Sequence, residues 1–570
     1  MSSPTRRPIL LAAVIGLVTC AVYLPALGNG FAGDWDDNGY VVQNAHLKAL
    51  DLSLVRWSFT AFHMSNWHPL TWLSHALDRA LWGLDPRGHH LTNVLLHGLD
   101  TALVVVLAAA LVLRWRRRAQ PDLTGADPGV LVAAGMTGLL FGLHPVHVES
   151  VAWVAERKDL LCALFYLGSL LAWLQPTRAM RLASLGLFAL ALLSKPMAVT
   201  LPLVLLVLDA CPLERLRTLR EVRAALVEKL PFFALSAGAS VLTVLAQRAG
   251  GSVVSIAAQP LGSRVLVAAR ALAGYVGLML WPADLVALHP YPEPLRAHAL
   301  EFAASLGFVA ALGASCIWLA RRRPWWSAAW ASYAIMLLPV LGLVQVGRQA
   351  MAERYTYLPS VGPFVLAGVG VAWLVNASGT RGRTLVAAGA LAVLIALTVR
   401  TSAQLEVWQS AVTLWDHTIA SGADSALARN NRGAALNALG KLDDAQADFE
   451  RALAMDPRYS RAWFNLGSVQ AHRGQPQEAI ESFGKAIAIE PGAAEFHTNL
   501  GTALFLAGEH ERALESYSKA LELAPDDGGA WFIRGKAWLT TGQRERALAD
   551  FRRACALGIA QACAPPPPGR

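Results

Sequence analysis

Charge is what this 570-residue chain has least of. Asp, Glu, Lys and Arg make up 16% of it, against about 25% in an ordinary soluble domain, while 55% of its residues are hydrophobic. That bias leaves more apolar surface than one globular core can bury, which excludes a wholly soluble protein and makes lipid the solvent for much of the chain. Cysteine is also scarce. Cys20, Cys162, Cys211, Cys316, Cys555 and Cys563 show no C-x-x-C and no metal spacing, and four lie in or beside apolar runs, where they read as small core residues. Within one continuous helix, eight positions span about 12 Å, too far for a bridge. A Cys555–Cys563 pair therefore requires the helix to break near Gly558.

The scarce charge is unevenly placed. Up to about residue 400 the chain is a series of apolar runs broken by short polar loops, whereas from about 424 it is charged and free of long apolar runs. Runs near 9–27, 93–113, 129–143, 160–174, 180–193, 197–210, 230–246, 300–320, 325–343, 358–376 and 384–400 predict about eleven spans. Several fall short of the roughly 20 residues a bilayer needs, so their ends extend into flanking polar residues.

Basic residues in short loops mark the cytoplasmic side. Segments 1–8, 114–128, 175–181, 211–229, 321–324 and 377–383 hold eighteen Lys or Arg, and the longer intervening segments hold only thirteen, but ten of the fifteen histidines. The N-terminus is therefore expected in the cytoplasm, and the large first loop 28–92 outside together with the C-terminal region. A full crossing by 262–281 would put Arg321-Arg322-Arg323 outside, so that stretch is expected to be interfacial or re-entrant. The first run also has features of a cleavable signal peptide, with Arg6 and Arg7 before it and Ala26-Leu27-Gly28 at its end.

Gly433, Gly467, Gly501 and Gly535 recur at 34 residues, the tetratricopeptide period. So do Ala445, Ala479, Ala513 and Ala547; Phe449, Phe483, Tyr517 and Phe551; and Ala452, Ala486, Ala520 and Ala554. Four repeats follow, at 426–459, 460–493, 494–527 and 528–559, with the aromatics expected to fill the gaps between units. Ala411 and Trp415 mark a degenerate half repeat within 404–425, and a Pro-rich tail, 560–570, is expected to be disordered. Asn431, Asn465 and Asn499 share one register of the first helix, on the face expected to line a concave groove, where amides can grip a polypeptide backbone. Asn is also simply common at that position of such repeats.

The first outward loop opens with Asp34-Trp35-Asp36-Asp37, three carboxylates next to hydrocarbon, which is costly unless they work or are paired. A carboxylate there suits a general base on an acceptor hydroxyl, and a divalent cation is compatible with it; a hydrophilic turn is the plain alternative. At or near the outer ends of other spans lie His89-His90, His144 and His147 with Glu149, Glu156-Arg157-Lys158-Asp159, Lys195, and Glu353-Arg354 with Tyr357. The cations among them suit a lipid-linked phosphate. The H-x-x-H pair at 144–147 is too little for a histidine metal site, and none is expected. Five tryptophans in the first loop (Trp35, Trp57, Trp67, Trp72, Trp82) suit the headgroup layer or sugar stacking.

In this order, Asp34-Trp-Asp36-Asp37, Gly88-His89-His90-Leu-Thr-Asn93, His144-Pro-Val-His147-Val-Glu149, Arg157-Lys-Asp159, Ser194-Lys195 and Ala352-Glu353-Arg354-Tyr-Thr-Tyr357, followed by the repeats, the chain resembles the transmembrane and tetratricopeptide-repeat O-mannosyltransferases of the GT-C superfamily. The resemblance implies an all-α fold, a polytopic GT-C-like bundle over 1–403 followed by a tetratricopeptide α-solenoid. It also implies transfer of a sugar, typically mannose, from a polyprenyl phosphate to a Ser or Thr hydroxyl. By that likeness Asp36 or Asp37 is the catalytic base, Arg157, Lys158, Lys195 and Arg354 contact the donor phosphate, and Asp34, His89, His90, His144, His147, Glu149, Glu353 and Tyr357 line the cavity. The repeats would hold the acceptor polypeptide. Pro196 and Met197 stand where the family pattern implies an acidic residue. The Arg- and Ala-rich composition points to a GC-rich bacterium, hence an inner membrane with the repeats in the periplasm. A non-catalytic scaffold that recruits proteins through its repeats is the main alternative; spans poor in polar residues disfavour a transporter.

Overall fold

The structure, a computed structural model, describes residues 3–250, 259–292, 295–343 and 349–564. It divides into two units, residues 1–417 and 418–570.

The first unit is almost wholly helical. In chain order its helices are α1 (Ser3–Tyr23), α2 (Leu52–Thr60), α3 (Pro69–Trp82), α4 (Pro86–Arg116), α5 (Pro128–Leu143), α6 (Val148–Ala152), α7 (Arg157–Trp173), α8 (Arg178–Ser194) and α9 (Leu201–Ala210). There follow α10 (Leu219–Glu228), α11 (Leu230–Ala249), α12 (Leu261–Leu280), α13 (Ala299–Leu319), α14 (Pro324–Leu337), α15 (Val361–Ala377), α16 (Thr380–Val407) and α17 (Ala411–Ala420). Two short antiparallel strands, β1 (His289–Pro290) and β2 (Gln349–Met351), pair on the loops.

Among the described residues, six helices are long and apolar enough to cross a bilayer: Arg6–Gly28, Pro86–Arg116, Leu230–Ala249, Leu261–Leu280, Leu295–Leu319 and Thr380–Val407. Five coincide with expected runs. The 129–143 run is α5, which meets Pro145–Ala152 at a 52° bend, because His144 precedes a proline and takes an extended conformation. The other five runs form α7, α8, α9, α14 and α15, helices of 10 to 17 residues. The sixth long helix is α12. Of the interfacial or re-entrant placement expected for 262–281, the re-entrant half is corrected, since the stretch is one unbroken 20-residue helix and does not turn back.

Local chemistry sets the helix starts. Asp85 and Asp127 cap α4 and α5 by accepting from Arg87 N and Val130 N, and each is followed by proline at the first helical position. Small residues let α1 and α4 touch backbone to backbone: a Cβ on Gly16 would lie 2.6 Å from the Gly98 carbonyl oxygen, and one on Gly98 2.2 Å from Cys20 Sγ.

The second unit is a solenoid of four helix pairs, α18 (Ala426–Ala438) with α19 (Leu442–Met455), α20 (Ser460–His472) with α21 (Pro476–Ile489), α22 (Ala494–Leu506) with α23 (His510–Leu523), and α24 (Gly528–Thr540) with α25 (Arg544–Ala556). The repeat aromatics pack within their own pair, where a Cβ on Gly433, Gly467, Gly501 or Gly535 would stand within 3 Å of the ring of Phe449, Phe483, Tyr517 or Phe551, and also reach the next pair, Phe483 sharing a core with Ala503 and Tyr517 with Ala537. Another 34-residue register holds the turns. The ring N–H groups of Trp463, His497 and Trp531 donate to the carbonyls of Pro457, Pro491 and Pro525. Gly558, at φ +90°, breaks the chain after α25. Cys555 and Cys563 then come to a Cα separation of 4.9 Å and are disulfide-bonded. The expected disorder of 560–570 is thereby corrected for 560–564, which carry the turn Ala560–Ala562 and the bridged Cys563; 565–570 lie outside the described residues.

Candidate functional site

The acidic turn of the first loop is a wide helical segment, Gly33–Val42, in which Gln43 N bonds Asn38 O at 2.8 Å, one residue beyond α-helical spacing. The widened turn points Asp36 and Asp37 in different directions. Asp37 is buried, and its two oxygens accept backbone N–H groups from Ala32 at 2.8 Å and Ala155 at 2.7 Å. Burial pushes its carboxyl up to about 7, against the pull of those two bonds. Asp37 thus pins the first loop to the Trp153–Glu156 turn. Asp36 keeps 30% of its side chain exposed, with Lys158 Nζ 3.9 Å away. Burial raises its carboxyl too, and Lys158 opposes the rise. The side chain of Asp34 lies outside the described residues.

Glu156 is the hub of the cations. Its carboxylate meets Lys158 Nζ at 2.9 Å, Lys195 Nζ at 3.3 Å and Arg354 Nε at 3.3 Å. Burial would raise the Glu156 carboxyl, but these three cations hold it well below the usual carboxylate range. Asp159 takes Lys195 Nζ at 2.6 Å, and burial pushes its carboxyl up to about 7. Glu149 accepts the Arg354 backbone N–H at 2.7 Å and pairs with its guanidinium. Lys158 also faces the Tyr40 ring at 4.7 Å, and Arg354 lies over Trp153 and Tyr355 at 5.3 and 5.0 Å. Lys158, Lys195 and Arg354, far apart in sequence, are therefore gathered round Glu156, and Lys158 links the group to Asp36.

Arg157 is different, and its expected phosphate contact is corrected. Its side chain is wholly enclosed. It bonds Asp78 at 2.6 Å, the His89 carbonyl at 2.8 Å and Asn93 at 2.8 Å, which leaves no free face for a ligand. The cavity-lining expectation is corrected for the buried set as well. His89, His90, His144 and His147 are each at most 1% exposed and are spent on the backbone carbonyls of Gly83, Gly30, Met279 and Phe141. Glu149, Glu353 and Tyr357 are likewise buried; they support the site from beneath. Glu353 accepts from Val286 N, and Tyr357 bonds Asp100 and His97.

Four residues went unassigned in the sequence reading: Asp78, Asn93, Glu156 and Asp159. The run Glu156-Arg157-Lys158-Asp159 holds the signal, since four consecutive charges of both signs on a helix start imply partners in several directions. Attention to its cations alone conceals the carboxylate at the centre. Trp35 forms an aromatic group with Trp153, Trp415 and Trp408, ring centroids 4.1, 5.0 and 6.5 Å away, while Trp72 is the buried core of the first loop, against Tyr40 and Trp57. Among the described residues no three His, Cys, Asp or Glu side chains are grouped as a metal's ligand set.

In the solenoid the asparagine register is partly self-satisfied. Asn430 donates to Asn431 Oδ1 at 3.1 Å and accepts from Asn465 Nδ2 at 2.9 Å, which ties the first two repeats together. Asn499 is half-buried and donates to the Glu495 carbonyl.

Tetratricopeptide repeat sequence profiles match residues 436–494 and 494–527. The chain is 30% identical over 250 residues to protein O-mannosyl-transferase tmtc2 of Xenopus laevis, a match over 40% of this chain and 27% of that protein. It is 27% identical over 577 residues to protein O-mannosyl-transferase Tmtc1 of Drosophila melanogaster, over 81% of this chain and 64% of the relative. Human protein O-mannosyl-transferase TMTC4 is 33% identical over 209 residues, 32% of this chain and 27% of its own length. The chain thus spans less than two thirds of each relative. Of solved structures, the crystal structure of MamA is 23% identical and covers 27% of this chain and 90% of its own, with a TM-score of 0.25. The chain combines apolar membrane-length helices with tetratricopeptide repeats, and its curated relatives are named protein O-mannosyl-transferases.

Proposed function

We propose that this protein is a membrane glycosyltransferase that moves a mannose-like sugar from a polyprenyl-phosphate donor to a protein hydroxyl on the non-cytoplasmic side, with its repeats holding the acceptor. The observation that carries the reading is the partly open carboxylate of Asp36 beside Lys158, with Lys195 and Arg354 gathered round Glu156. In an inverting transfer the acceptor oxygen bonds the anomeric carbon as the bond from that carbon to the phosphate oxygen breaks. Asp36 takes the hydroxyl proton, and the departing electron pair goes to a phosphate facing the three cations. Asp37, with both oxygens committed to backbone N–H groups, holds Asp36 in place.

The charge inventory adds a condition. Lys158, Lys195 and Arg354 already face Asp36, Glu149, Glu156 and Asp159, so an incoming phosphate is favoured when one carboxylate carries a proton. Asp159, pushed up to about 7, fits that role. An apolar groove of about 860 Å³ along α4, α9, α14 and α15, from Met336 and Val361 to Arg116 and Arg323, offers room for a lipid tail. The loop-charge bias and the Cys555–Cys563 bridge, which persists in an oxidising compartment, support placing the acidic turn and the repeats outside. A scaffold without catalysis is the second reading, favoured by the pairing of all three cations.

Sugar transfer in membranes supplied with labelled polyprenyl-linked donors tests the proposal. Loss of transfer in Asp36→Asn is expected; unchanged transfer would remove the base, and no transfer by the wild type would leave the scaffold.

A further inference from the structure

Asp100 lies 14 residues, roughly 20 Å, along α4, in the apolar interior of the bundle, and is fully buried. The site described above does not use it. Its Oδ2 is 3.0 Å from the Tyr357 hydroxyl, and its Oδ1 has no hydrogen-bond partner. The same hydroxyl lies 2.7 Å from His97 Nδ1, and His97 Nε2 lies 3.3 Å from the Gly142 carbonyl.

These three contacts fix the hydrogen count. The Gly142 carbonyl only accepts, so His97 Nε2 carries a hydrogen. Tyr357 has a single hydroxyl hydrogen and two polar neighbours. If it donates to His97 Nδ1, the Asp100 contact needs a hydrogen on the carboxyl. If it donates to Asp100, His97 Nδ1 must carry one and the ring is an imidazolium beside a carboxylate. Both arrangements hold the same hydrogens and have no net charge; moving two hydrogens along the chain of contacts interconverts them. An ionised Asp100 with neutral His97 would leave one contact without a hydrogen and a bare charge in hydrocarbon, the costliest case.

We propose that Asp100, Tyr357 and His97 share one proton as an uncharged unit inside the bundle, and that this unit positions Arg354. The positioning half rests on the transferase reading. Tyr357 follows Arg354 by one turn, its N–H bonding the Arg354 carbonyl at 3.3 Å. Glu149 fastens this turn at Arg354, and the protonated unit fastens it at Tyr357. The groups facing the unit are Tyr23 from α1, whose ring is 4.7 Å from His97; His147 from the Pro145–His147 turn, 5.0 Å from Tyr357; Cys162 and Asp159 from α7; and Ser360, which bonds the Tyr357 carbonyl.

The test uses full-length protein in detergent, with melting midpoints and transfer rates read from pH 6 to 9. An amide at position 100 can donate to Tyr357 as a protonated carboxyl does, but cannot ionise. Asp100→Asn is therefore expected to be at least as stable as wild type at pH 6, where the carboxyl of the unfolded chain is already ionised. As pH rises the wild type loses stability relative to this variant, because its native state binds one proton more than its unfolded state, about tenfold in the folding equilibrium per pH unit. Tyr357→Phe, which keeps the ring and removes the hydroxyl, lowers transfer about tenfold. Identical pH courses for wild type and Asp100→Asn, or an Asp100→Asn protein already destabilised at pH 6, would overturn the shared proton. The melting arm needs no transferase activity, so it stands if the functional reading fails. Melting courses as expected with full transfer in Tyr357→Phe would overturn the positioning role alone.

Discussion

Lys195 Nζ lies 2.6 Å from Asp159 Oδ1 although 36 residues separate them, and both side chains are at most 10% exposed. This contact ties the N-terminal turn of α7 to the α8–α9 junction and places a cation where the cluster around Glu156 needs one.

Glu156→Gln should be strongly destabilising. It removes the charge that faces Lys158, Lys195 and Arg354 together, and breaking a buried pair by deleting one partner costs about 3–5 kcal/mol. Thermal melting of the purified protein would show it; a shift within error of wild type would mean that Asp159 and Glu149 suffice.

The two adjacent aspartates should separate cleanly. Asp36→Asn lowers transfer by about 10²–10⁴-fold and leaves the melting midpoint nearly unchanged, because its carboxylate is partly exposed. Asp37→Asn puts an amide N–H against a backbone N–H of Ala32 or Ala155 and costs about 1–3 kcal/mol of stability. Parallel melting and transfer measurements on both variants decide the assignment, which fails if the roles are exchanged.

Donor binding should weaken as pH rises through about 7, the value to which burial pushes Asp159. Below that pH the carboxyl is protonated and Lys195 is freer to face phosphate; above it the added negative charge opposes the donor. The sign for stability is the same. A carboxyl raised from its ordinary value binds more protons in the native state, so its contribution is full at low pH and is lost as pH rises through about 7. Measured as donor KM against pH, Asp159→Asn should flatten the rise; a wild-type curve that falls through this range would contradict the charge inventory.

The bridge that closes the solenoid should be readable in cells. Reduction, or Cys555→Ser, opens an eight-residue loop and costs about 2.5 kcal/mol by loop entropy. Maleimide labelling of intact cells should find Cys563 blocked until a reductant is added. Ready labelling without reductant would place the repeats in a reducing compartment, contrary to the proposed orientation.

Much of the architecture was legible before any coordinates, for a physical reason: hydropathy and a 34-residue period are properties of residues in sequence order. The apolar runs became helices, the glycine and aromatic registers became the packed seams of helix pairs, and Gly558 broke the last helix where a Cys555–Cys563 bridge required it. The site was legible only by residue type. Arg157 and Lys158 are neighbours of like charge, yet one is sealed against Asp78 and Asn93 and the other reaches Asp36, because successive residues of a helix point about 100° apart. The widened turn parts Asp36 from Asp37 in a like manner. Composition and periodicity therefore determined the solvent, the helices and the repeats. Only the tertiary structure decided which charges meet, since Glu156, Lys195 and Arg354 are brought together by packing among helices distant in the chain, and no local pattern encodes a contact across such separations.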